Sequence, residues 1–404
     1  MHSFRLVNRP LKLIITLSVV LSTFSYSQDT NWTVSFADAI MQRYPNINDL
    51  THKGWEYSNS IVLSGIEKVY YETGDLKYLN YIKKYIDSYV SSNGNISFNP
   101  DANNLDNLHP GWLCITLYQE TGLEKYEIAA GKIRAEFDNQ PKNDSGGFWH
   151  KQTYSNQMWA DGIYMAEPFL MRYGAVFWDL DSASDIATRQ AILLANHAYD
   201  SVNNLIYHGW DETKEAAWAD NVTGRSPEVW SRGMGWYSMA LVDMLDFLPR
   251  THKNYNRIVE ILQGLATGIK KYQDADSGLW YQVVDKGDSV GNWIETSGSA
   301  MFIYALKKAV RKGYIDTSYN SVANKAWIAL KLRVTFDESD LPVINDFAPA
   351  MGIKTSYAEY VAQTRVSTPP SSHPHGYCGF LLAGSEMEFK RNTKFKIIAY
   401  GRKK

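Results

Sequence analysis

The strongest constraint on the fold is a segment that occurs twice. Tyr70–Tyr78 reads YYETGDLKY and Tyr118–Tyr126 reads YQETGLEKY, sharing Tyr-x-Glu-Thr-Gly-x-x-Lys-Tyr. In each copy an apolar stretch precedes the glycine and an amphipathic one follows the second tyrosine. A glycine between two helical stretches supplies the left-handed residue that ends the first helix, so each copy reads as the turn of a helical hairpin. Looser versions of this layout recur. Apolar helical runs begin near Tyr57, Pro110, Asp161, Gly233, Gly298 and Gly376, with more polar helices over 78–90, 125–137, 185–200, 255–273 and 319–332. Spacings of about forty to seventy residues suit stacked helix pairs. Strand signals are few and short, as in GLWYQVVD at Gly278–Asp285. Six hairpins can close into a ring with the apolar helices inside. The first and last apolar runs look like ordinary repeats rather than polar caps, which favours a ring over an open solenoid. The expectation is an all-α, single-domain (α/α)6 barrel.

Composition mainly excludes. The 404 residues are 45% hydrophobic and 21% charged, enough for one large core. A net charge of -2 argues against a nucleic-acid partner. Cys114 and Cys378 are too few for a disulfide scaffold. In the expected ring they fall on the second and sixth inner helices, with the first between them, and should be free thiols. Arg5, Arg9 and Lys12 precede the apolar run Leu13–Leu21, and Ser25-Tyr26-Ser27 follows. That is the pattern of a secretory signal peptide over residues 1–27, leaving 28–404 as a barrel exported to the periplasm or the medium. The run is too short for a membrane span and no other stretch is long enough, so no membrane contact is expected after cleavage. Oligomeric state leaves no signature in the sequence.

In such a ring the loops ahead of the inner helices crowd one mouth. Asp106 lies four residues before Pro110, and Asp161 lies seven before Pro168. Proline is tolerated in a helix's first turn, so both carboxylates are expected near the starts of neighbouring inner helices. Either aspartate alone is well explained as a helix cap. Together they suit acid–base work on a sugar. Burial and mutual repulsion, set against the helix N-terminus, would let the pair share one proton at neutral pH. The same mouth offers Trp159, His150 in GGFWHKQ, His208 and Trp210 in LIYHGWDE, and Arg232 and Trp236 in VWSRGMGWYSMAL. A single tryptophan reads as core, but thirteen in the chain, several beside polar residues ahead of inner helices, point to carbohydrate. His373-Pro374-His375 has no acid or cysteine at ligand spacing, so no metal is expected. Nucleotide, phosphate-loop and serine-elbow signatures are missing. No cofactor is expected.

QMWADGIYMAEPFLMRYG, GGFWHKQ, LIYHGWDE, WSRGMGWYSMALVDMLDFLP and HPHGYCGFLLAGSEM together resemble the bacterial unsaturated glycuronyl hydrolases of glycoside hydrolase family 105, cousins of family 88. The resemblance runs from about residue 50 to about 390 with the motifs in matching order. It implies an (α/α)6 barrel and removal of the 4,5-unsaturated uronic acid that polysaccharide lyases leave at the non-reducing end of oligosaccharides. By motif, Asp161 matches the family's general acid/base and Asp106 its second carboxylate. His150, Trp159, Met165, His208, Arg232 and Trp236 match residues lining the sugar site, with Trp55 and Tyr57 as further candidates. The implied chemistry is hydration: Asp161 protonates C4 of the enol ether, water adds at C5, and the hemiketal collapses with loss of the glycosidic bond. An inverting glycosidase on a saturated sugar, a histidine-based epimerase and a non-catalytic glycan-binding protein are the competing readings. Whether the substrate derives from rhamnogalacturonan or from ulvan is left to loops such as 211–228 and 335–370. In the first of these, Lys214 and Arg225 could meet a sulfate.

Overall fold

Both copies of the repeated segment turn as expected. Gly74 (φ 71°) and Gly122 (φ 68°) are left-handed, and their N–H groups close on Tyr70 O and Tyr118 O. The Tyr70 hydroxyl donates to Glu120 Oε2 at 2.7 Å, tying the two turns together.

The computed structural model describes residues 31–50, 54–367 and 373–390, and the expected signal segment lies outside them. The described residues from Trp32 onward form one compact unit. Among the described residues there are thirteen α-helices: α1 (Trp32–Arg43), α2 (Tyr57–Thr73), α3 (Leu76–Tyr89), α4 (Gly111–Thr121), α5 (Glu124–Asn139), α6 (Ala160–Phe177), α7 (Leu180–Ala198), α8 (Ser231–Met244), α9 (Tyr255–Lys271), α10 (Thr296–Lys312), α11 (Tyr319–Lys331), α12 (Tyr357–Val361) and α13 (Pro374–Met387). None is long and apolar enough to cross a membrane.

Burial separates two rings. Every residue of α8 is buried, and α10 is buried without a break from Thr296 to Leu306. By contrast α3 buries Tyr78, Leu79, Tyr81, Ile82, Tyr85 and Ile86, one stripe at helical spacing. The inner helices touch in the closed order α2, α4, α6, α8, α10, α13 and back to α2. This is the expected (α/α)6 barrel.

Three details differ from the sequence reading. Five hairpins run consecutively, but the sixth pair is made from the two ends of the described chain, with α1 packed on α13 and α2. Phe36 stacks on Phe380 at 4.0 Å, and Glu388 Oε2 accepts from Thr33 N at 2.9 Å and Thr33 Oγ1 at 2.7 Å. Pro168, used as a marker of a helix start, instead lies inside α6, which begins at Ala160. Asp161 is still in the first turn, although not for the reason its distance from Pro168 suggested. The segment 278–285 makes only isolated bridges, Trp230 to Val283 and Tyr281 to Ile294, rather than a strand. Cys114 and Cys378 are free and buried.

Close helix contacts hold the inner ring. A Cβ at Gly65 of α2 would stand 2.6 Å from Leu381 Cβ of α13. Alanine at position 65 would gain about 1 kcal/mol from helix propensity. Overpacking costs about 1–3 kcal/mol, toward the upper end here because the clash is with a Cβ that cannot swing away. Gly65→Ala is therefore expected to lose about 1–2 kcal/mol net, measured by denaturant unfolding. A more stable variant would mean that α2 and α13 pack less tightly than described.

Candidate active site

The first turns of the inner helices meet at one mouth. Tyr57 is the first residue of α2, and Asp161, Arg232, Ser297 and His375 are the second residues of α6, α8, α10 and α13. Asp106 comes from the short 3-10 helix Leu105–Asn107 ahead of α4, where Asn104 Oδ1 accepts from its N–H at 3.1 Å.

A two-stranded ribbon aligns the central residues. Gln157–Trp159 pairs antiparallel with Gly209–Asp211, Trp159 opposite Gly209, and Ala160 N donates to His208 O at 2.9 Å. His208, just before the second strand, is thereby brought against Asp161, just after the first. His208 Nε2 lies 3.1 Å from Asp161 Oδ2. The two atoms are not aligned as a made hydrogen bond, and both are buried without another partner.

On the other side, Asp106 receives Lys151 Nζ at 2.8 Å on Oδ2 and faces His150 Nε2 at 3.6 Å from Oδ1. His150, Trp159 and Tyr154 form a stack, with the Trp159 ring 4.6 Å from His150 (5° apart) and 4.7 Å from Tyr154 (14°). The Tyr57 hydroxyl meets His375 Nε2 at 3.1 Å. His150 Nδ1 and His375 Nδ1 are buried and unpartnered as well. Buried polar atoms are rarely left unsatisfied, so this concentration marks a place built for a polar ligand.

Electrostatics set the resting charges. Burial pushes the Asp161 carboxyl up, but His208, His150 and Arg232 together outweigh it and hold the carboxyl below its usual range. Burial lowers the His150 ring despite the pull of Asp106, and lowers His375 well below the ordinary histidine range, reinforced by Arg232. Those two rings are neutral at neutral pH, and Arg232 is a standing positive charge near Asp161. Burial, with Asp106 and Asp161 nearby, keeps the Tyr57 phenol protonated. In place of the expected shared proton, Asp106 has Lys151 Nζ at 2.8 Å and Asp161 rests ionised.

Other candidates fall in supporting positions. Met165 and Trp236 lie one turn below Asp161 and Arg232, with Trp236 stacked on Tyr164 at 4.9 Å. Trp55 donates from Nε1 to Asn107 O at 2.9 Å and packs among Tyr85, Tyr89 and Phe98, forming the wall behind Asp106. Trp210 stacks on His197 at 3.8 Å, away on α7. Arg225 donates to the backbone oxygens of His197 and Tyr199 at the end of α7, and Lys214 is exposed. Lys151, Tyr154 and Tyr360 were not singled out in the sequence. Lys151 could have been, because it follows His150 directly in the GGFWHKQ motif.

Arg232 is 1% exposed, and its fork is already engaged. Nη1 donates to Ala348 O at 2.6 Å and Ser297 Oγ at 3.0 Å, and Nη2 donates to Pro349 O. Its acid is Glu295 at 3.8 Å, whereas Asp243 pairs with Lys308. Lysine cannot serve both carbonyls, and a buried acceptor left unmade costs about 1–3 kcal/mol. Arg232→Lys should therefore lose stability on that scale in thermal or denaturant unfolding and raise KM as the loop bearing Ala348 loosens. Wild-type stability would remove Arg232 from this loop-holding role.

Comparison with known proteins agrees with the fold. The family described as Glycosyl Hydrolase Family 88 matches residues 32–390. A solved glycoside hydrolase from family 105 of C. acetobutylicum superposes with a TM-score of 0.83 at 36% identity, over 89% of this chain and 99% of that one. Protein Atu3128 of Agrobacterium fabrum is 36% identical over 197 residues, 47% of this chain and 82% of that protein. The unsaturated rhamnogalacturonyl hydrolase YesR of Bacillus subtilis is 26% identical over 271 residues, 66% of this chain and 73% of that protein. The chain belongs to the unsaturated glycuronyl hydrolases of glycoside hydrolase family 105.

Proposed function

We propose that this protein removes the 4,5-unsaturated uronic acid from rhamnose-linked rhamnogalacturonan fragments by hydrating its C4=C5 bond. The observation that carries the reading is Asp161 in the first turn of α6, its Oδ2 buried, unpartnered and 3.1 Å from His208 Nε2. Similarity to a rhamnogalacturonyl hydrolase supports the pectic substrate. So does the engagement of Arg225 with backbone carbonyls, which leaves it unsuited to a sulfate.

The resting Asp161 is ionised and must gain a proton before it can give one. Binding an anionic uronate beside it adds negative charge and expels water, and both effects raise a carboxyl pKa. Protonated Asp161 then delivers its proton to C4, leaving positive charge on C5 shared with the ring oxygen. Water adds at C5, and the regenerated Asp161 carboxylate takes the water's proton. The C5 hemiketal opens to a ketone and releases the rest of the oligosaccharide. Asp106, held by Lys151, is placed to receive sugar hydroxyls. No step requires a metal or an organic cofactor.

Two measurements test this. Asp161→Asn keeps the volume but has no proton to give, and general acid–base steps contribute about 10²–10⁴-fold. Its turnover should collapse by at least that factor while substrate still binds. In heavy water the wild type should place one deuterium at C4 of the released acid. An unlabelled C4, or equal activity on the saturated sugar, would instead point to an inverting glycosidase.

The pH profile follows from the same charge state. The free-enzyme pKa of Asp161 is depressed and the reactive form is the protonated one, so kcat/KM should fall about tenfold per pH unit toward alkaline pH. On the acid side the sign reverses for the fold. A depressed carboxyl stabilises the native state above its unfolded pKa of about 3.9, and that stabilisation is lost as pH falls through the folded value. A flat kcat/KM across neutral pH would contradict protonation of Asp161 on binding.

A further inference from the structure

His208 is held from behind as well as faced from the front. Its Nδ1 lies 2.9 Å from the hydroxyl of Tyr360, 152 positions along the chain. Tyr360 belongs to α12 in the long connection between α11 and α13 and is 0% exposed. It packs with Trp230, Val283, Trp293 and Ala348 in a small apolar cluster separate from the main core. Its backbone is fixed too, with N–H to Ser356 O at 3.2 Å and Gln282 Nε2 to its carbonyl at 3.3 Å.

The direction of the Tyr360–His208 bond follows from what the ring's other nitrogen faces. Burial, with Asp161 nearby, keeps the proton on the phenol of Tyr360. A His208 with its single proton on Nδ1 would set a bare Nε2 3.1 Å from Asp161 Oδ2, two acceptors facing each other. With the proton on Nε2 instead, Nδ1 is the acceptor and the Tyr360 hydroxyl donates to it.

We propose that Tyr360 is a positioning residue: by donating to Nδ1 it fixes His208 as the Nε2–H tautomer, so the nitrogen 3.1 Å from Asp161 Oδ2 always carries the proton. The tautomer itself stands independently of the reaction. Its kinetic consequence rests on the reading of Asp161 as the reacting carboxylate. Binding of an imidazole's far nitrogen is how a neighbour selects the near one's protonation state, and a wrong tautomer in an otherwise intact site is severely damaging.

The test uses protein labelled with 15N in its histidine rings. Long-range 1H–15N correlation of the wild type should show His208, assigned from its loss in His208→Gln, with a bare Nδ1 and a protonated Nε2. Tyr360→Phe removes only the hydroxyl and should shift this ring to a mixture or to Nδ1–H. Its kcat should fall about tenfold or more with KM within about threefold of wild type, a split that a loosened loop alone would not produce. An Nδ1–H ring in the wild type overturns the proposal outright. So does Tyr360→Phe with an unchanged tautomer. If the tautomer behaves as expected but Asp161→Asn still turns over, the hydration reading fails and the role of Tyr360 in setting the ring stands.

Discussion

Six helix beginnings converging on one mouth are the constraint on which the rest of the site depends. Chain returns through the outer helices make the inner ones run the same way, so their unsatisfied N–H groups and positive dipole ends gather together. A carboxylate there is stabilised as an anion, as Asp161 is, and an anionic sugar is a natural guest. The same convergence explains the economy of the arrangement. One side chain from the start of each helix, taken from five helices and the short turn before α4, supplies an acid, a cation, a phenol and an imidazole without any of them needing a long loop. Gly65 against Leu381, and Gly298 of α10 with a Cβ that would meet the Ser231 backbone carbon at 2.7 Å, bring the helices close enough for this to work.

The second organising element is the buried pair of Arg232 and Glu295, 3.8 Å apart. Glu295 caps α10 by accepting from Ser297 N at 3.2 Å and Gly298 N at 2.5 Å, and it also accepts Ala348 N at 3.0 Å. Arg232 grips the same loop through Ala348 O and Pro349 O. A buried ion pair is weak as a stabiliser, but here both partners are spent on backbone atoms of one loop. That loop leads on to α12, and so the pair governs where Tyr360 stands relative to His208.

Much of this was legible in the sequence, for physical reasons that can be named. The hairpin turns were visible because a left-handed residue between two helices selects glycine, as at Gly74 and Gly122. Where α6 ends the same way with Trp178 (φ 64°), no such signal exists. Asp161, His150 and His208 were found through local motifs that the ribbon 157–159 with 209–211 then brought together. Asp161 was placed at a helix start by a faulty argument from Pro168, whose neighbours in the core tolerate a lost backbone hydrogen bond within α6. Tyr360 could not be found because its partner lies 152 residues away and SYAEYV carries no pattern. Arg232 was recognised as important, but whether an arginine grips a sugar or its own backbone is decided by a loop with no regular period.

The pairing of α1 with α13 has a consequence for how the chain is made. The first outer helix leaves the ribosome long before its partner exists, because about 330 residues separate Arg43 from Pro374. At roughly 5–20 residues per second, α1 waits on the order of 20–60 seconds with its face bearing Phe36 and Ile40 without α13. The ring is therefore completed last at the seam where its two ends meet. Until then, a nascent chain with its inner helices mostly assembled still lacks the α13 side of the mouth and the His375 it carries.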